Sequence, residues 1–361
     1  MEYIFNKDSS LPLYRQLADE LTRQIENGVI RPGDKLKSES EMVSEYGVGR
    51  LTVRNALQLL VNRGDLVKVQ GKGTFCAQKQ VLADALNVEV LLDMNDTYFI
   101  PYHVRGISSV LSESGSNFLI SNTQDDDAVL CSLLEGIVKK GASGVIFQYT
   151  GTNCGTAWSG RILELLELLS QKNIPVIMLD GSLDSAPVSC FYLNEKSGGL
   201  RAAEHLAAYG HKSCAVLGLK KHRDASLRHE GFREGAAMFG LYEPVFIDYS
   251  ENWEEQLSEA VKGGVTGIFA FNDDAALKSV LSLKKNGFDV PGDVSIIGFD
   301  DTYIATAYDP QLTTLTHPKE EMGHDAANLL LKMISTGNIT PVKKEYRPEL
   351  IMRGSCRRAL S

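Results

Sequence analysis

The spacing of apolar residues changes near residue 80 of the chain. Before that point apolar residues recur at helical intervals, as in Leu13, Leu17, Leu21 and Ile25. From residue 88 onwards, short apolar runs alternate with amphipathic helical stretches, which is typical of a parallel α/β fold. The pattern therefore predicts a small helical unit followed by a larger α/β unit.

The helical unit begins with two predicted helices. The first begins at Leu13 and ends at Gly28, with Pro12 just inside its start, where a missing N–H costs nothing. A second, short helix is predicted after Ser38, because Ser38 and Glu41 have the spacing of a capping box.

A third predicted helix carries two arginines on one face. It begins after the turn at residues 47–49, and apolar residues such as Val53 and Leu57 leave Arg50 and Arg54 on the opposite face. Guanidinium groups near the start of such a helix suit the major groove, where arginine can bond guanine O6 and N7. Two arginines at helical spacing would alone be an ordinary solvated face, so the interpretation depends on the next element of the chain.

Two short alternating runs come after this helix, at residues 66–70 and 74–76. They are joined by Gly71, Lys72 and Gly73, so they predict a β-hairpin wing. Glycine in the turn lets backbone N–H groups and Lys72 approach phosphates closely. The alternative of a dinucleotide-binding loop fails, because the third glycine and the following helix are missing.

This order of helices and hairpin, with LKSE at 36–39 and RLTVR at 50–54, resembles the GntR family of bacterial winged-helix regulators over about residues 10–78. The resemblance implies DNA contacts from the recognition helix, the helix before it and the wing. The residues so implied are Ser38, Ser40, Arg50, Leu51, Thr52, Arg54, Gly71 and Lys72. Leu51 stands where the family commonly has a polar residue, and it could contact a thymine methyl group.

The α/β unit has polar residues directly after its apolar runs. The predicted strands lie at 88–92, 118–121, 145–147, 175–179, 215–218, 268–271 and 294–298. Ligands of parallel sheets bind at the carboxyl ends of strands, where carboxylates and amides recur here. Such groups bond the vicinal hydroxyls of a sugar, although any one of them can equally cap a helix or face solvent.

Four segments of this unit resemble the LacI/GalR effector domain, a relative of periplasmic sugar-binding proteins. They are NEKSGG at 194–199, RHEGF at 228–232, FNDD at 271–274 and PGDVSIIGFDD at 291–301, and the resemblance covers roughly residues 87–356. It implies two Rossmann-like lobes joined by three crossovers, with a sugar in the cleft and dimerisation through this domain. The effector contacts that it implies are Asp96, Tyr98, Gln148, Asn194, Arg228, Asn272 and Asp300.

A GntR-type head on a LacI-type body resembles the arabinose-repressor family of Gram-positive bacteria. The segments YFIP at 98–101, HPK at 317–319 and PELIMR at 348–353 strengthen that resemblance. It implies a homodimeric, sugar-responsive repressor that leaves palindromic double-stranded operator DNA when its effector binds, with L-arabinose as the leading effector. A different pentose or a short oligosaccharide, and regulation as an activator, stay open.

We therefore predict an α/β protein in three segments. A winged helix-turn-helix DNA-binding domain spans residues 1–77, a linker spans 78–87, and a two-lobed periplasmic-binding-protein-like domain for effector binding and dimerisation spans 88–361. The charge agrees with this division: the total is −9, but residues 1–79 carry +2 and the remainder −11. The head alone can tolerate a phosphate backbone.

Composition also narrows the class of protein. Six widely spaced cysteines without ligand spacing predict reduced thiols and no metal site, and no cofactor is expected. The absence of a signal-like start and of a membrane-length apolar run predicts a cytoplasmic protein. A carbohydrate-processing enzyme is the rival class, but the chain has no G-x-S-x-G, H-E-x-x-H or P-loop motif.

Overall fold

The computed structural model describes residues 12–69, 72–77, 86–94, 100–149, 160–182, 187–250 and 252–359. These residues form a small head followed by two α/β lobes. Among the helices described, none has the length and hydropathy needed to cross a membrane. The predicted linker lies almost wholly outside the described residues.

The head is a three-helix unit with a hairpin wing, as predicted. Its elements are α1 (Leu13–Glu26), α2 (Glu39–Tyr46), α3 (Arg50–Asn62), β1 (Leu66–Val69) and β2 (Gly73–Cys76). The strands pair antiparallel, with Leu66 opposite Cys76. Leu17 and Leu21 of α1 pack with Leu60 of α3 in one buried core. The apolar stripes in the sequence therefore form the core of the head.

The starts of α1 and α2 test the two capping predictions made from the sequence. Ser38 and Glu41 form the predicted capping box, in which Ser38 Oγ accepts from the Glu41 N–H at 3.3 Å and the Glu41 carboxylate accepts from the Ser38 N–H at 2.7 Å. The prediction for Pro12 is wrong by one position. Pro12 is the N-cap of α1, because its backbone is extended, with φ −56° and ψ 143°, and Leu13 is the first helical residue.

The first lobe begins directly after the linker region. Its strands and helices in chain order are β3 (Asn87–Leu92), α4 (Ile100–Glu113), β4 (Asn117–Asn122), α5 (Asp127–Lys140), β5 (Gly144–Gln148), α6 (Gly160–Gln171), β6 (Val176–Leu179) and β7 (Ser189–Leu193). Every residue of β5 and β6 is buried. Continuous apolar strands of this kind are expected in a parallel sheet that is covered on both faces.

The second lobe repeats the alternation of helix and strand. Its elements are α7 (Glu195–Ala208), β8 (Cys214–Gly218), α8 (Arg223–Phe239), β9 (Val245–Asp248), α9 (Trp253–Lys262), β10 (Gly267–Ala270), α10 (Asp273–Lys285), β11 (Ser295–Asp300), α11 (Ile304–Ala307) and β12 (Thr313–Thr316). The chain ends with α12 (Lys319–Thr336), β13 (Lys343–Tyr346) and β14 (Leu350–Ile351).

Each lobe contains one six-stranded sheet. The strand orders are β13-β7-β6-β5-β3-β4 in the first lobe and β14-β12-β11-β10-β8-β9 in the second. All pairs are parallel except β12 with β14. The chain passes between the sheets after β7, after β12 and after β13. The prediction of two Rossmann-like lobes is confirmed, with the three crossovers that it implied.

Side-chain caps mark the starts of two helices in the second lobe. Asn194 caps α7, which begins at Glu195. His222 caps α8, and His229 lies within that helix.

Candidate functional site

The exposed face of α3 carries both predicted arginines. The side chains of Arg50 and Arg54 are 68% and 59% exposed. Glu39, which the sequence did not single out, places its Oε2 atom 3.4 Å from Arg50 Nε and 3.5 Å from Arg54 Nη2. Leu51 is 69% exposed on the same helix. The first turns of α3 therefore present two guanidinium groups and one apolar side chain to solvent.

The other predicted DNA contacts differ in their exposure. Ser40 and Lys72 are exposed, and Thr52 is half-buried. The Ser38 hydroxyl is engaged in the capping box, where it also donates to Glu41 Oε2 at 2.7 Å. Gly71 lies outside the described residues.

A second site forms where the carboxyl ends of the two sheets face each other. Asp180 directly follows β6 of the first lobe, and Asp300 ends β11 of the second. The ring of His317, in the crossover after β12, lies between them. Its Nε2 atom is 3.0 Å from Asp180 Oδ1, and its Nδ1 atom is 3.5 Å from Asp300 Oδ1. A single imidazole therefore spans the gap between the lobes.

Arg228 on α8 is held on the side of the second lobe. Its Nε donates to Glu195 Oε2 at 2.5 Å, and its Nη1 donates to the Phe271 carbonyl at 2.5 Å. Its Nη2 lies 3.6 Å from Asp300 Oδ1, and the guanidinium stacks 3.6 Å from the centre of the Phe299 ring. These contacts fix the guanidinium plane next to the Asp300 carboxylate.

Gln148 and His103 complete the site on the side of the first lobe. Gln148, at the end of β5, donates from Nε2 to Asp180 Oδ2 at 2.8 Å, and His103 Nε2 lies 3.3 Å from that oxygen. Gln148 is buried, and its Oε1 atom has no hydrogen-bond partner within the part of the chain that is described. From α12, Lys319 Nζ donates to the Asp300 carbonyl at 3.0 Å.

Neighbouring charges strongly shift the pKa values of the two acids at the centre of this site. Burial alone would raise the pKa of Asp300, but Lys319 and Arg228 outweigh burial and lower it to about 2. Burial would likewise raise the pKa of Asp180, yet the neighbouring histidines and the bond from Gln148 lower it. Both groups are therefore carboxylates at neutral pH.

The pKa values of two further buried acids, Asp224 and Asp273, are shifted in the opposite direction. Burial and the nearby Glu195 raise the pKa of Asp224 to about 7. Burial and the nearby Asp300 raise the pKa of Asp273 to about 7, although Asp273 accepts from the Thr302 N–H at 2.7 Å. The site therefore holds charged acids at its centre and acids of raised pKa around them.

The structure brings together three of the seven predicted effector contacts, namely Gln148, Arg228 and Asp300. Asn194 and Asn272 cap α7 and α10, accepting from the N–H groups of Ser197 at 2.9 Å and Ala275 at 2.8 Å. Asp96 and Tyr98 lie outside the described residues.

Sequence reasoning left out five residues of this site. They are His103, Asp180, Glu195, His317 and Lys319. Asp180 had a signal, because it follows a predicted strand, and His317 and Lys319 belong to the HPK segment. Nothing in the local sequence distinguishes His103, which lies inside the amphipathic helix α4.

Two family models match separate parts of the chain. Residues 13–76 match the model of the bacterial regulatory proteins of the gntR family, and residues 203–356 match a periplasmic binding protein-like domain. The chain is 23% identical to a LacI family transcriptional regulator from Enterococcus faecium solved with bound ribose. That likeness has a TM-score of 0.63 and covers 76% of this chain and all of that one. The class defined by fold and site is a DNA-binding transcriptional regulator with a GntR-type head and a LacI-type body.

Full-length relatives specify the family. The chain is 30% identical to the arabinose metabolism transcriptional repressor of Geobacillus stearothermophilus, over 97% of this chain and 99% of that repressor. It is 29% identical to the protein of the same name from Halalkalibacterium halodurans, over 96% of this chain and 97% of the relative. The chain belongs to this family of transcriptional repressors. The interpretation as a regulator, rather than an enzyme, is confirmed by these relatives.

Proposed function

We propose that this protein is a homodimeric repressor that binds a palindromic operator in the cytoplasm and leaves it when L-arabinose binds between the lobes. In this proposal residues 1–77 read DNA, 78–87 link the domains, and 88–361 bind effector and dimerise. A different sugar, or action as an activator, would use the same architecture.

The proposed DNA contacts are based on the exposed face of α3. Arg50 and Arg54 would bond base edges, and the exposed Leu51 would contact a thymine methyl group. The remaining proposed contacts are Ser38, Ser40, Thr52, Gly71 and Lys72. Base contacts give sequence preference, while phosphate contacts such as that of Lys72 position the head.

The observation that carries the effector proposal is the buried Oε1 atom of Gln148, which has no hydrogen-bond partner among the described residues. A buried carbonyl oxygen without a donor is costly, so a hydroxyl group placed beside it would stabilise the closed site. Arg228 and Asp300 lie across the same gap with donors and acceptors in fixed positions. The proposed effector contacts are Asp96, Tyr98, Gln148, Asn194, Arg228, Asn272 and Asp300.

The charge of the site favours a neutral sugar over a phosphorylated ligand. Arg228 is paired with Glu195, and both Lys319 and His317 lie against Asp300. A phosphate would need cations that are available to it, as in arginine-rich phosphate sites. A neutral polyol needs only hydrogen-bonding groups.

Release from DNA requires a modest difference in binding free energy. A hundredfold loss of operator affinity corresponds to about 2.7 kcal/mol of coupling between the two ligands. We propose that closure of the lobes around the sugar changes the spacing of the two heads, which in a dimer must match half-sites about 10 base pairs, or a multiple, apart.

A thermal-shift screen against pentoses, hexoses and short oligosaccharides tests the effector proposal, because a ligand of the folded state raises the melting temperature. We expect a shift with L-arabinose that Gln148→Ala reduces and that Gln171→Ala, an exposed glutamine at the end of α6, leaves unchanged. A shift with another sugar alone would change the effector. The lack of any shift would contradict a sugar sensor.

A further inference from the structure

We propose that His317 is a positioning residue that links closure of the two lobes to the protonation of its own ring. His317 lies in the crossover between β12 and α12, with a side chain only 3% exposed. Its two ring nitrogens face carboxylates of different lobes, Asp180 at 3.0 Å and Asp300 at 3.5 Å. The ring is therefore a direct bridge between the lobes.

Both contacts are favourable only for the charged ring. A neutral imidazole has one N–H and one lone pair, so one of its nitrogens would direct a lone pair at a carboxylate. The imidazolium carries an N–H on both nitrogens, so it donates a hydrogen bond to Asp180 and forms an ion pair with Asp300. Protonation therefore makes one side chain complementary to Asp180 and Asp300 at the same time.

The balance of charge supports the same conclusion. While Asp224 and Asp273 are protonated, below their raised pKa values of about 7, three carboxylates face three cations. The carboxylates are Asp180, Glu195 and Asp300, the cations are Arg228, Lys319 and protonated His317, and all six side chains are at most 7% exposed. Loss of the His317 proton leaves one uncompensated buried negative charge, which is costly in a low-dielectric site. Opening the lobes would relieve it by admitting water.

The groups that face His317 from the surrounding elements determine its protonation. Burial and Lys319 on α12 lower the pKa of His317, but Asp180 after β6 and Asp300 on β11 outweigh them, so that the pKa is raised above its ordinary value. His103 on α4 differs, since burial lowers its pKa to about 4 and keeps it neutral. Of these two histidines, His317 is the one that changes charge on the alkaline side of about pH 6.5.

The sign of the effect is set by this raised pKa. The closed state holds the proton more tightly than the open state, so the contribution of His317 to closure is fully present below about pH 6.5, the ordinary pKa of histidine. It is lost as the pH rises through the raised pKa of the closed state. Closure, and with it the effector response of the proposed function, weakens at alkaline pH.

Closure itself can be measured without any effector. The test is small-angle X-ray scattering of the full-length protein at pH 6.0 and pH 8.5, for wild type, His317→Gln and the control His229→Gln. His229 packs on Phe246 within the second lobe. We expect the radius of gyration to rise with pH in wild type and His229→Gln. In His317→Gln it should be larger and should rise less with pH, because only neighbouring acids such as Asp224 and Asp273, with pKa values of about 7, still titrate there. A wild type without pH dependence, or a His317→Gln variant that retains the full wild-type dependence, would overturn the proposal.

A second measurement does not depend on the variant folding. In wild-type protein labelled at histidine, an NMR titration should show one buried ring with a pKa above about 6.5. Absence of such a ring would overturn the proposal.

Binding of L-arabinose then tests the link to effector sensing. The dissociation constant should rise by up to about tenfold per pH unit between about 6.5 and the raised pKa, since one proton is linked to closure. If L-arabinose does not bind but scattering shows the pH-dependent closure, the proposed effector fails while the role of His317 stands.

Discussion

Arg54 combines an exposed position on α3 with a weak intramolecular partner. Its Nη2 atom lies 3.5 Å from Glu39, which Arg50 also approaches. Ion pairs this exposed contribute little to stability. The guanidinium is therefore available for a base edge without a large cost to the folded head.

We predict that Arg54→Ala lowers specific operator affinity by about 1–3 kcal/mol and relaxes sequence preference at one base pair, because a bidentate base contact is lost. Fluorescence anisotropy with the operator and with single-base variants measures both effects. Arg201→Ala, an exposed arginine of α7 paired with Glu204, is the matched control. Unchanged operator affinity in Arg54→Ala would show that the recognition helix is misassigned.

His222 gives a prediction about acid stability. Burial lowers its pKa to about 4, while its ring accepts from the Ala225 N–H and caps α8. Because the folded state resists protonation of His222, the neutral ring contributes to the free energy of unfolding above about pH 6.5. This contribution is lost as the pH falls towards 4. His222→Asn keeps a capping side chain and does not titrate, so it should remove up to about 3 kcal/mol of the acid-induced loss.

Thermal melts of both proteins between pH 7 and pH 4.5 measure this difference. The slope for His222→Asn should be shallower than that of wild type but not flat, because the pKa of His103 is also lowered to about 4. Identical slopes would contradict the assignment of a neutral, half-buried ring at position 222.

At the scale of elements, glycines allow two helices of the second lobe to cross closely. A Cβ atom on Gly231 of α8 would lie 1.9 Å from the Lys196 carbonyl of α7, and one on Gly199 of α7 would lie 1.9 Å from the Arg228 carbonyl. Glu195 and Arg228 are on these same helices and bond each other at 2.5 Å. The crossing therefore sets the geometry of the proposed effector site.

We predict that Gly231→Ala costs about 1–3 kcal/mol of stability and weakens effector binding, because the helices must separate to admit the methyl group. Urea denaturation measures the free energy of unfolding, and calorimetry measures binding. Gly136→Ala in α5 is the matched control, since its Cβ would meet nothing within 4 Å, and it should gain up to about 1 kcal/mol. Equal stability of the two variants would contradict the close crossing.

Some strands can be predicted from their local sequence, and others cannot. Strands such as β5 and β11 were found because every residue is buried, which leaves an apolar run. The run TTLT of β12 was missed, because its buried threonines satisfy their hydroxyls through partners such as Asp273, to which Thr314 donates at 2.5 Å. Burial of polar residues depends on partners that are distant in sequence.

The same limit applies to the site. Asn194 and Asn272 follow strands, as effector contacts would, yet their side chains cap helices, and a residue type favoured in both roles cannot separate them. The pairing of His317 with Asp180 joins positions 137 residues apart. Local spacing could not predict that contact, because it exists only after three crossovers bring the lobes together.

At the scale of the whole molecule, the net charge differs between the head and the body. Residues 1–79 carry +2 and the rest of the chain −11, so attraction to DNA must come from locally placed cations of the head. Lys72 on the wing is exposed, so it is available for a phosphate contact.

We predict that Lys72→Ala weakens binding to all DNA sequences similarly. It should also lower by about one the slope of log affinity against log salt concentration, measured by anisotropy over a salt series. Selective loss for the operator would contradict a phosphate contact.

In the proposed function, sugar binding in the body releases the head from its operator. Anisotropy of the full-length protein on an operator selected from genomic fragments, titrated with L-arabinose and with D-glucose as the control sugar, measures this release. We predict a fall in operator affinity of about a hundredfold with L-arabinose, which corresponds to about 2.7 kcal/mol, and no change with D-glucose. Saturating L-arabinose binding without any change in operator affinity would contradict this coupling between the body and the head.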